Sequence, residues 1–246
     1  MVPIRYLEAV RGILDHLEQT QLEAIEQAAT IVTESLSNGG VVYVHGIGHG
    51  NEGDFLNRAG GLAAVQHFTY SIQANAPVPK CLQNRPRPEP FEADLENIRY
   101  ALRASNIRAG DVMVVGSVSG KNRAPIELAL ACREMGVKTI GFTSFEYTAQ
   151  VESLHPSGKK LREVVDVAID NGAPFGDGAV DIPGFDFKLL PVSGVSMTVI
   201  GWMIWGRVME QMAAAGNPPT VFMSVNRPGG KEYYDQAVAE YQRRGY

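Results

Sequence analysis

Cysteine is nearly absent from this chain: Cys81 and Cys132 are the only two in 246 residues. Two thiols exclude a disulfide framework and a multi-cysteine zinc site, and they point to a reducing compartment. Positive charge is not in excess either, since 22 Lys+Arg against 27 Asp+Glu leave a formal net charge of -5. The electrostatic footprint of a nucleic-acid binder is therefore missing. The opening MVPIRYLEAVRGILDHLEQT mixes acids and bases with apolar residues and has no uninterrupted apolar core, which argues against a secretory signal. The expectation is a cytoplasmic protein. Long uncharged runs are also scarce, the exception being 189–206, LLPVSGVSMTVIGWMIWG. It approaches the ~20 residues of a membrane span. Pro191, Ser193, Ser196 and Thr198 interrupt its front end, so a buried helix and no membrane span is the expectation.

What is present alternates between two periodicities. Leu7, Val10, Leu14 and Leu17, then Ile25, Ala28 and Ile31, recur at helical spacing, so residues 3–36 predict one long helix or two consecutive ones. Asn38-Gly39-Gly40 ends that segment, and VVYV with His45 predicts a strand running into the glycine-rich loop GIGHGNEG. A helix is expected over 55–65, although Gly60-Gly61 weakens it. Five prolines between Pro77 and Pro90 mark 73–90 as a long surface loop with the makings of a lid. Phe91, Leu95, Ile98 and Leu102 predict an amphipathic helix, after which VMVVG reads as a strand buried on both faces. SVSGKNRAP follows as a polar loop, Pro125 suits a first helical turn, and 126–135 predicts the helix. VKTIGFTS and VVDVAI are further strands; 171–184 reads as loop, and 193–215 and 232–243 as helices. Strands alternating with helices predict an α/β fold with a parallel sheet covered on both faces. Ligands of such sheets bind beyond the carboxyl ends of the strands, here just after Val44, Val115, Phe142 and Ile169.

The most informative of those places is Ser117-Val118-Ser119-Gly120-Lys121-Asn122-Arg123. Hydroxyls, amides and two cations stand between a buried strand and a helix N-terminus, where free N–H groups and the helix dipole favour an anion. A capped turn with two solvated cations has the same composition. GxxxxGK[ST] is absent, so the loop is not a Walker loop, and Gly46, Gly48 and Gly50 do not make G-x-G-x-x-G, so a nicotinamide cofactor is not implied. Beside the first loop, His49, Asn51, Glu52 and Asp54 offer the imidazole and carboxylate that proton transfer next to a carbonyl requires. Glu52 and Asp54 would equally favour a helix N-terminus through the dipole. His155, in SLHPSGKKL, reads either as an acid/base or as a turn residue. The spacing of His45, His49 and His155 fits no closed zinc pattern, so no metal is expected. Trp202 and Trp205 lie on the apolar helix and read as core or subunit-interface residues.

Taken together, VHGIGHG with NRAGGL, GDVMVVGSVSGKNRAPIELAL, TSFEYT, HPSGKKL with VVDVAIDN, PVSGVS and SVNRPGGKEY resemble the sugar isomerase (SIS) domain superfamily, in its phosphosugar-binding branch. The resemblance spans nearly the whole chain. It implies a three-layer α/β/α unit with a five-stranded parallel sheet, here residues 37–246 behind an N-terminal helical segment 1–36. It implies a homodimer or homotetramer with sites at subunit interfaces, and the excess apolar surface of 198–212 gives the same expectation. The family's serine-rich phosphate loop falls on Ser117, Ser119 and Asn122, with Gly120, Lys121 and Arg123 beside them. Gly48 and Asn51 of the first loop and Ser144 and Glu146 after the third strand complete the expected substrate contacts. The family's base lies near the start of the helix after the first loop, which points to Glu52 with Asp54 in reserve, while His49 or His155 would help open the ring. Relatives often carry a longer first loop with a serine after the glycine-histidine pair. Here Gly50 and Asn51 stand there, and a missing donor suits an anion of lower charge, such as the sulfonate handled by sulfoquinovose isomerases of SIS type.

The expected function is an aldose–ketose isomerase acting through a cis-enediolate on a hexose-like sugar with a terminal anion, without a cofactor. Two other classes compete. A non-catalytic sugar-phosphate sensor would use the same pocket, because fold does not fix chemistry. An etherase or lyase acting on a sugar phosphate would use a similar domain with a carboxylate base.

Overall fold

In a computed structural model, residues 1–73, 75–86 and 93–246 are described. The N-terminal periodicity resolves into two helices, α1 (Val2–Thr20) and α2 (Leu22–Ser37), with Pro3 in the first turn, where its missing N–H is no loss. They break at Gln21, whose side-chain Oε1 accepts the Asp170 amide at 2.9 Å and so ties the joint to the far end of the sheet. Five parallel strands follow: β1 (Val42–His45), β2 (Val65–His67), β3 (Val112–Gly116), β4 (Lys138–Thr143) and β5 (Val167–Asp170). Their spatial order is β2-β1-β3-β4-β5.

Alternation along the strands explains why they read as continuous apolar runs. Val112 and Val114 point to one face, into a cluster with Ala28, Val32 and Leu36 of α2 and Ile200, Ile204 and Trp205 of α7 (Ser193–Ala214). Met113 and Val115 point to the other face, against α3 (Ala93–Ala104) and α4 (Arg123–Glu134) through Ile98, Leu102, Ile126 and Leu128. Both faces are covered, which makes three layers. The short helices α5 (Phe145–Ala149) and α6 (Leu161–Val164) fill the β4–β5 crossover, and α8 (Gly230–Arg244) follows α7.

Two expectations are corrected. Residues 55–65 do not form a helix. After a 3-10 turn (Asn51–Phe55), Asn57 takes a left-handed φ of 51° and the chain pairs with the segment before α8 instead. There Gly60 and Ala63 donate to Phe222 and Thr220, Phe222 donates back to Gly61, and β2 follows as the fifth strand. The stretch 171–184 is not wholly loop, because β6 (Gly178–Val180) pairs antiparallel with β7 (Leu189–Pro191). The uncharged run 189–206 is thus divided between β7 and α7, and no helix among the described residues is long and apolar enough to cross a membrane. Within the proline-rich segment, Lys80–Leu82 forms a 3-10 turn. Pro88, Pro90 and Phe91 lie outside the described residues.

Candidate active site

The carboxyl ends of β1 and β3 are adjacent, so the loops that leave them meet. They touch backbone to backbone: a Cβ at Gly116 would stand 2.6 Å from the Gly46 carbonyl oxygen, which only glycine avoids. A cavity of about 680 Å³ opens above this crossing. One wall is the two loops, with His45, Gly48, His49, Ser117, Ser119 and Asn122; the other is the β6–β7 hairpin, with Asp177 and Lys188–Pro191; Tyr147 of α5 lies between.

The second loop has its carbonyls held by hydrogen bonds that leave donors unpartnered. Its five consecutive carbonyls all accept hydrogen bonds from the protein: Ser117 from the Gly120 amide, Val118 from Ser144, Ser119 from the Thr148 hydroxyl, Gly120 from Leu161 and Lys121 from Leu154. With every C=O drawn inward, the Val118, Ser119, Lys121 and Asn122 amides have no acceptor among the described residues. The Ser117 and Ser119 hydroxyls are likewise without a partner there, and Asn122 stands at the N-cap of α4 without making a side-chain cap. Val118, Ser119 and Asn122 with uncapped amides and the Ser117 and Ser119 hydroxyls line the cavity beside the positive end of a twelve-residue helix. Gly120 makes this path possible, with φ +62° and room for no Cβ, since one would lie 2.8 Å from both the Thr143 and Thr148 hydroxyl oxygens.

The first loop is built differently. Gly46, Gly48, His49 and Gly50 all have positive φ, and the chain coils into 3-10 turns instead of a helix. Its polar side chains turn to neighbouring elements. Asn51 donates to the Gly194 carbonyl and the Thr198 hydroxyl at 2.9 and 3.2 Å, tying the loop to α7. Glu52 is buried with Oε1 3.3 Å from His67 Nε2, while its Oε2 is buried without a hydrogen-bond partner. Asp54 accepts from the Trp202 indole at 2.9 Å.

Of the residues singled out from sequence, Gly48, His49, Ser117, Ser119 and Asn122 line the cavity together. Asn51, Glu52, Gly120, Lys121, Arg123, Ser144, Glu146 and His155 do not. Arg123 lies along Asp94, with bonds of 2.8 and 3.2 Å, and this pairing holds the Asp94 carboxyl below its ordinary range. Ser144 caps α5, accepting from Tyr147 N and donating to the Ala173 carbonyl. Glu146 accepts the Phe175 amide. His155 is buried between Glu127 and Ser157.

Four polar residues of the cavity were not among the expected site residues. His45, considered only as a metal ligand, ends β1 with its Nδ1 2.9 Å from the Phe68 carbonyl oxygen. A carbonyl only accepts, so Nδ1 carries the proton and Nε2 is the basic nitrogen. Its ring stacks on Tyr70, whose phenol is pushed above its ordinary pKa by burial and then by the Asp94 charge. Tyr147, Asp177 and Lys188 are the others. Asp177 accepts from Val192 N, Ser193 N and Ser193 Oγ at 3.2, 2.9 and 2.6 Å, so both its oxygens are engaged in capping α7. The available signal was positional, since Asp177 lies in the loop after Ile169. Strain is a second marker: of the four non-glycine residues with left-handed φ among the described residues, His49, Asp177 and Leu190 line the cavity.

Comparison with known proteins gives the same architecture. The family described as SIS domain matches residues 5–144. A UPF0309 protein of Caldanaerobacter subterraneus is 33% identical over 247 residues, covering 97% of each chain. One of Listeria innocua is 32% identical, covering 97% of this chain and 95% of its own. Among solved structures, a phosphoheptose isomerase from Neisseria gonorrhoeae superposes with a TM-score of 0.54 at 20% identity, over 84% of this chain and 96% of that one. Another, from Francisella tularensis, gives 0.50 at 15% identity, over 82% and 94%. The fold is thus that of phosphosugar isomerases, and the extent of these matches establishes that the chain belongs to the SIS domain family.

Proposed function

We propose that the cavity binds a hexose-like sugar by a terminal anionic group, a phosphate or sulfonate, and that the protein interconverts its aldose and ketose forms. The observation that carries this reading is the second loop, whose five carbonyls are all satisfied by the protein while four of its amides and two hydroxyls have no partner among the described residues. The anion would sit on Ser117, Ser119, Asn122 and the first turn of α4, with Lys188 supplying a cation from the hairpin. With the anion held there, the open-chain carbonyl end would lie toward β1. His45 Nε2 would take the C2 proton of the aldose and return it to C1 of the enediolate while the O2 hydroxyl proton passes to O1 through water, and His49 would serve ring opening. A positioned base contributes about a hundred- to ten-thousandfold. Glu52, the base expected from sequence, is the alternative, although it lies against His67 and outside the cavity lining.

One observation favours a second reading, a sensor that binds the sugar without chemistry: the sole carboxylate lining the cavity among the described residues, Asp177, is fully engaged as a cap. A panel of sugar phosphates and sulfosugars screened by thermal shift, then proton NMR of each binder in deuterated water, separates the two. Isomerisation places solvent deuterium at C1 or C2. Binding with no deuterium incorporation supports the sensor, and no binder among the anionic sugars overturns both. A homo-oligomer belongs to the same proposal, supported by the exposed Ile4, Leu7 and Leu14 of α1, which follow one another at about one and two helical turns. Light scattering showing a monomer at micromolar concentration would contradict it.

A further inference from the structure

Behind the anion loop lies a buried polar cluster that the proposed chemistry does not use. The side chains of His155 and Glu127 are only 6% and 4% exposed, and His155 Nε2 is 2.7 Å from Glu127 Oε2. Glu127 is the fifth residue of α4, the helix whose N-terminus forms the anion site. Its other oxygen pairs with Arg99 of α3, which also reaches Glu134 on α4 at 2.6 Å. On the far side of the imidazole, Nδ1 lies 3.1 Å from the Ser157 backbone amide and 2.8 Å from the Ser157 hydroxyl. An amide N–H can only donate, so Nδ1 is bare and the single ring proton is on Nε2, given to Glu127. The imidazole is therefore neutral in this arrangement and satisfied at both nitrogens.

The segment that carries His155 also grips the loop. Leu154 N and Leu161 N, on either side of it, each donate at 2.9 Å, to the Lys121 and Gly120 carbonyls respectively. Those are two of the five bonds that turn the loop's amides outward. Within the segment, Ser153 Oγ accepts the His155 amide and donates to the Lys159 carbonyl, and Lys160 Nζ reaches the Thr148 carbonyl.

We infer that His155 and Glu127 are positioning residues for the anion site proposed above: the imidazole pins segment 154–161 to α4, so that the segment's amides and the helix hold the loop's carbonyls inward and its N–H groups toward the ligand. The inference rests on that site being an anion site, and it gives His155 a role away from the reacting atoms. Arg99 holds only Oε1 of Glu127, so detaching His155 leaves the buried Oε2 without a donor, and that cost keeps the brace closed.

The test uses inorganic phosphate as the probe and the full chain. In the wild type, phosphate titrated by NMR should shift the Ser119 and Lys121 amides. By reciprocity of coupled equilibria it should also slow hydrogen exchange of the Leu154 and Leu161 amides by the same factor by which opening of the brace weakens phosphate. His155→Gln should weaken phosphate about tenfold and release those two amides, while affinity for a neutral sugar is unchanged. In an active protein it should raise KM for the anionic sugar and leave kcat within about twofold. Glu134→Gln, at the exposed end of the same network, is the control and should leave phosphate affinity at the wild-type value. If phosphate saturates the wild type without changing Leu154 and Leu161 exchange, the inference is overturned, and that measurement needs no variant to fold. A folded His155→Gln that binds phosphate as the wild type does also overturns it. If the wild type binds no phosphate, the anion site falls and this inference with it.

Discussion

The two loops that leave β1 and β3 start side by side and end as opposites. After β3 the chain passes through residues 117–122 into a twelve-residue helix, and four amides and two hydroxyls of that loop have no partner among the described residues. After β1 it coils through four positive-φ residues into 3-10 turns, and Asn51, Glu52 and Asp54 bind α7, β2 and Trp202. An equivalent station in a βα unit thus leaves its donors free in one case and spends its polar side chains on structural ties in the other. What decides between them is whether the loop leads into an α-helix of several turns, because its first N–H groups are then left without acceptors and aimed the same way.

The largest effect that can break this contrast is chemical. His45→Gln should lower turnover by roughly a hundredfold or more with substrate affinity changed only a few-fold, whereas Glu52→Gln should change turnover by less than about tenfold. Steady-state isomerisation assays check both. If Glu52→Gln abolishes turnover and His45→Gln does not, the first loop carries the base and the contrast fails at its catalytic end.

A backbone substitution sharpens the same comparison. Gly120→Ala forces a Cβ to 2.8 Å from two hydroxyl oxygens at φ +62°, so a loss of about 1–3 kcal/mol in denaturant unfolding is expected, together with weakened anion binding. Gly53→Ala, in the first loop, meets nothing within 4 Å and should stay within about 0.5 kcal/mol of the parent. Equal effects at the two positions would show that the second loop is not the tighter of the two.

How much of this was legible in the sequence follows from the same physics. Strands β1, β3, β4 and β5 were visible because burial on both faces demands unbroken apolar runs such as VMVVG. Strand β2 was not: at three residues on the sheet edge, with one of them exposed, it carries too little apolar pattern to compete with the helical spacing of 55–65. The part of the second loop that lines the cavity was legible in Ser117, Ser119 and Asn122, since small polar residues between a buried strand and a helix fall at the carboxyl edge of the sheet. Which carboxylates and cations face the cavity was not, because Glu52, Arg123 and Glu146 are claimed by His67, Asp94 and Phe175, partners distant in sequence. Hairpin residues such as Lys188 reach the cavity through a β6–β7 pairing that glycine-rich composition conceals.

Smaller effects follow from the cations. Lys188→Ala should weaken an anionic sugar several-fold more than its neutral parent, as exposed charges contribute modestly, and Lys121→Ala should do less; calorimetric titration resolves both. Arg123→Ala should change anion affinity by no more than about twofold at neutral pH. Asp94 has a lowered pKa because of the hydrogen bond from Arg123, so their pairing persists above the usual carboxylate range and weakens as pH falls through that lowered value. Any Arg123 contribution should therefore emerge only in acid, and a large loss at pH 7 would return this residue to the site.

The central claim, that the second loop and not the first receives the anion, is tested most directly by amide NMR under saturating glucose 6-phosphate with glucose as the neutral control. The account predicts that Val118, Ser119, Lys121 and Asn122 shift with the phosphate ester and not with glucose, while Asn51 to Asp54 stay near their free positions. Saturable shifts confined to Asn51–Asp54 would contradict it.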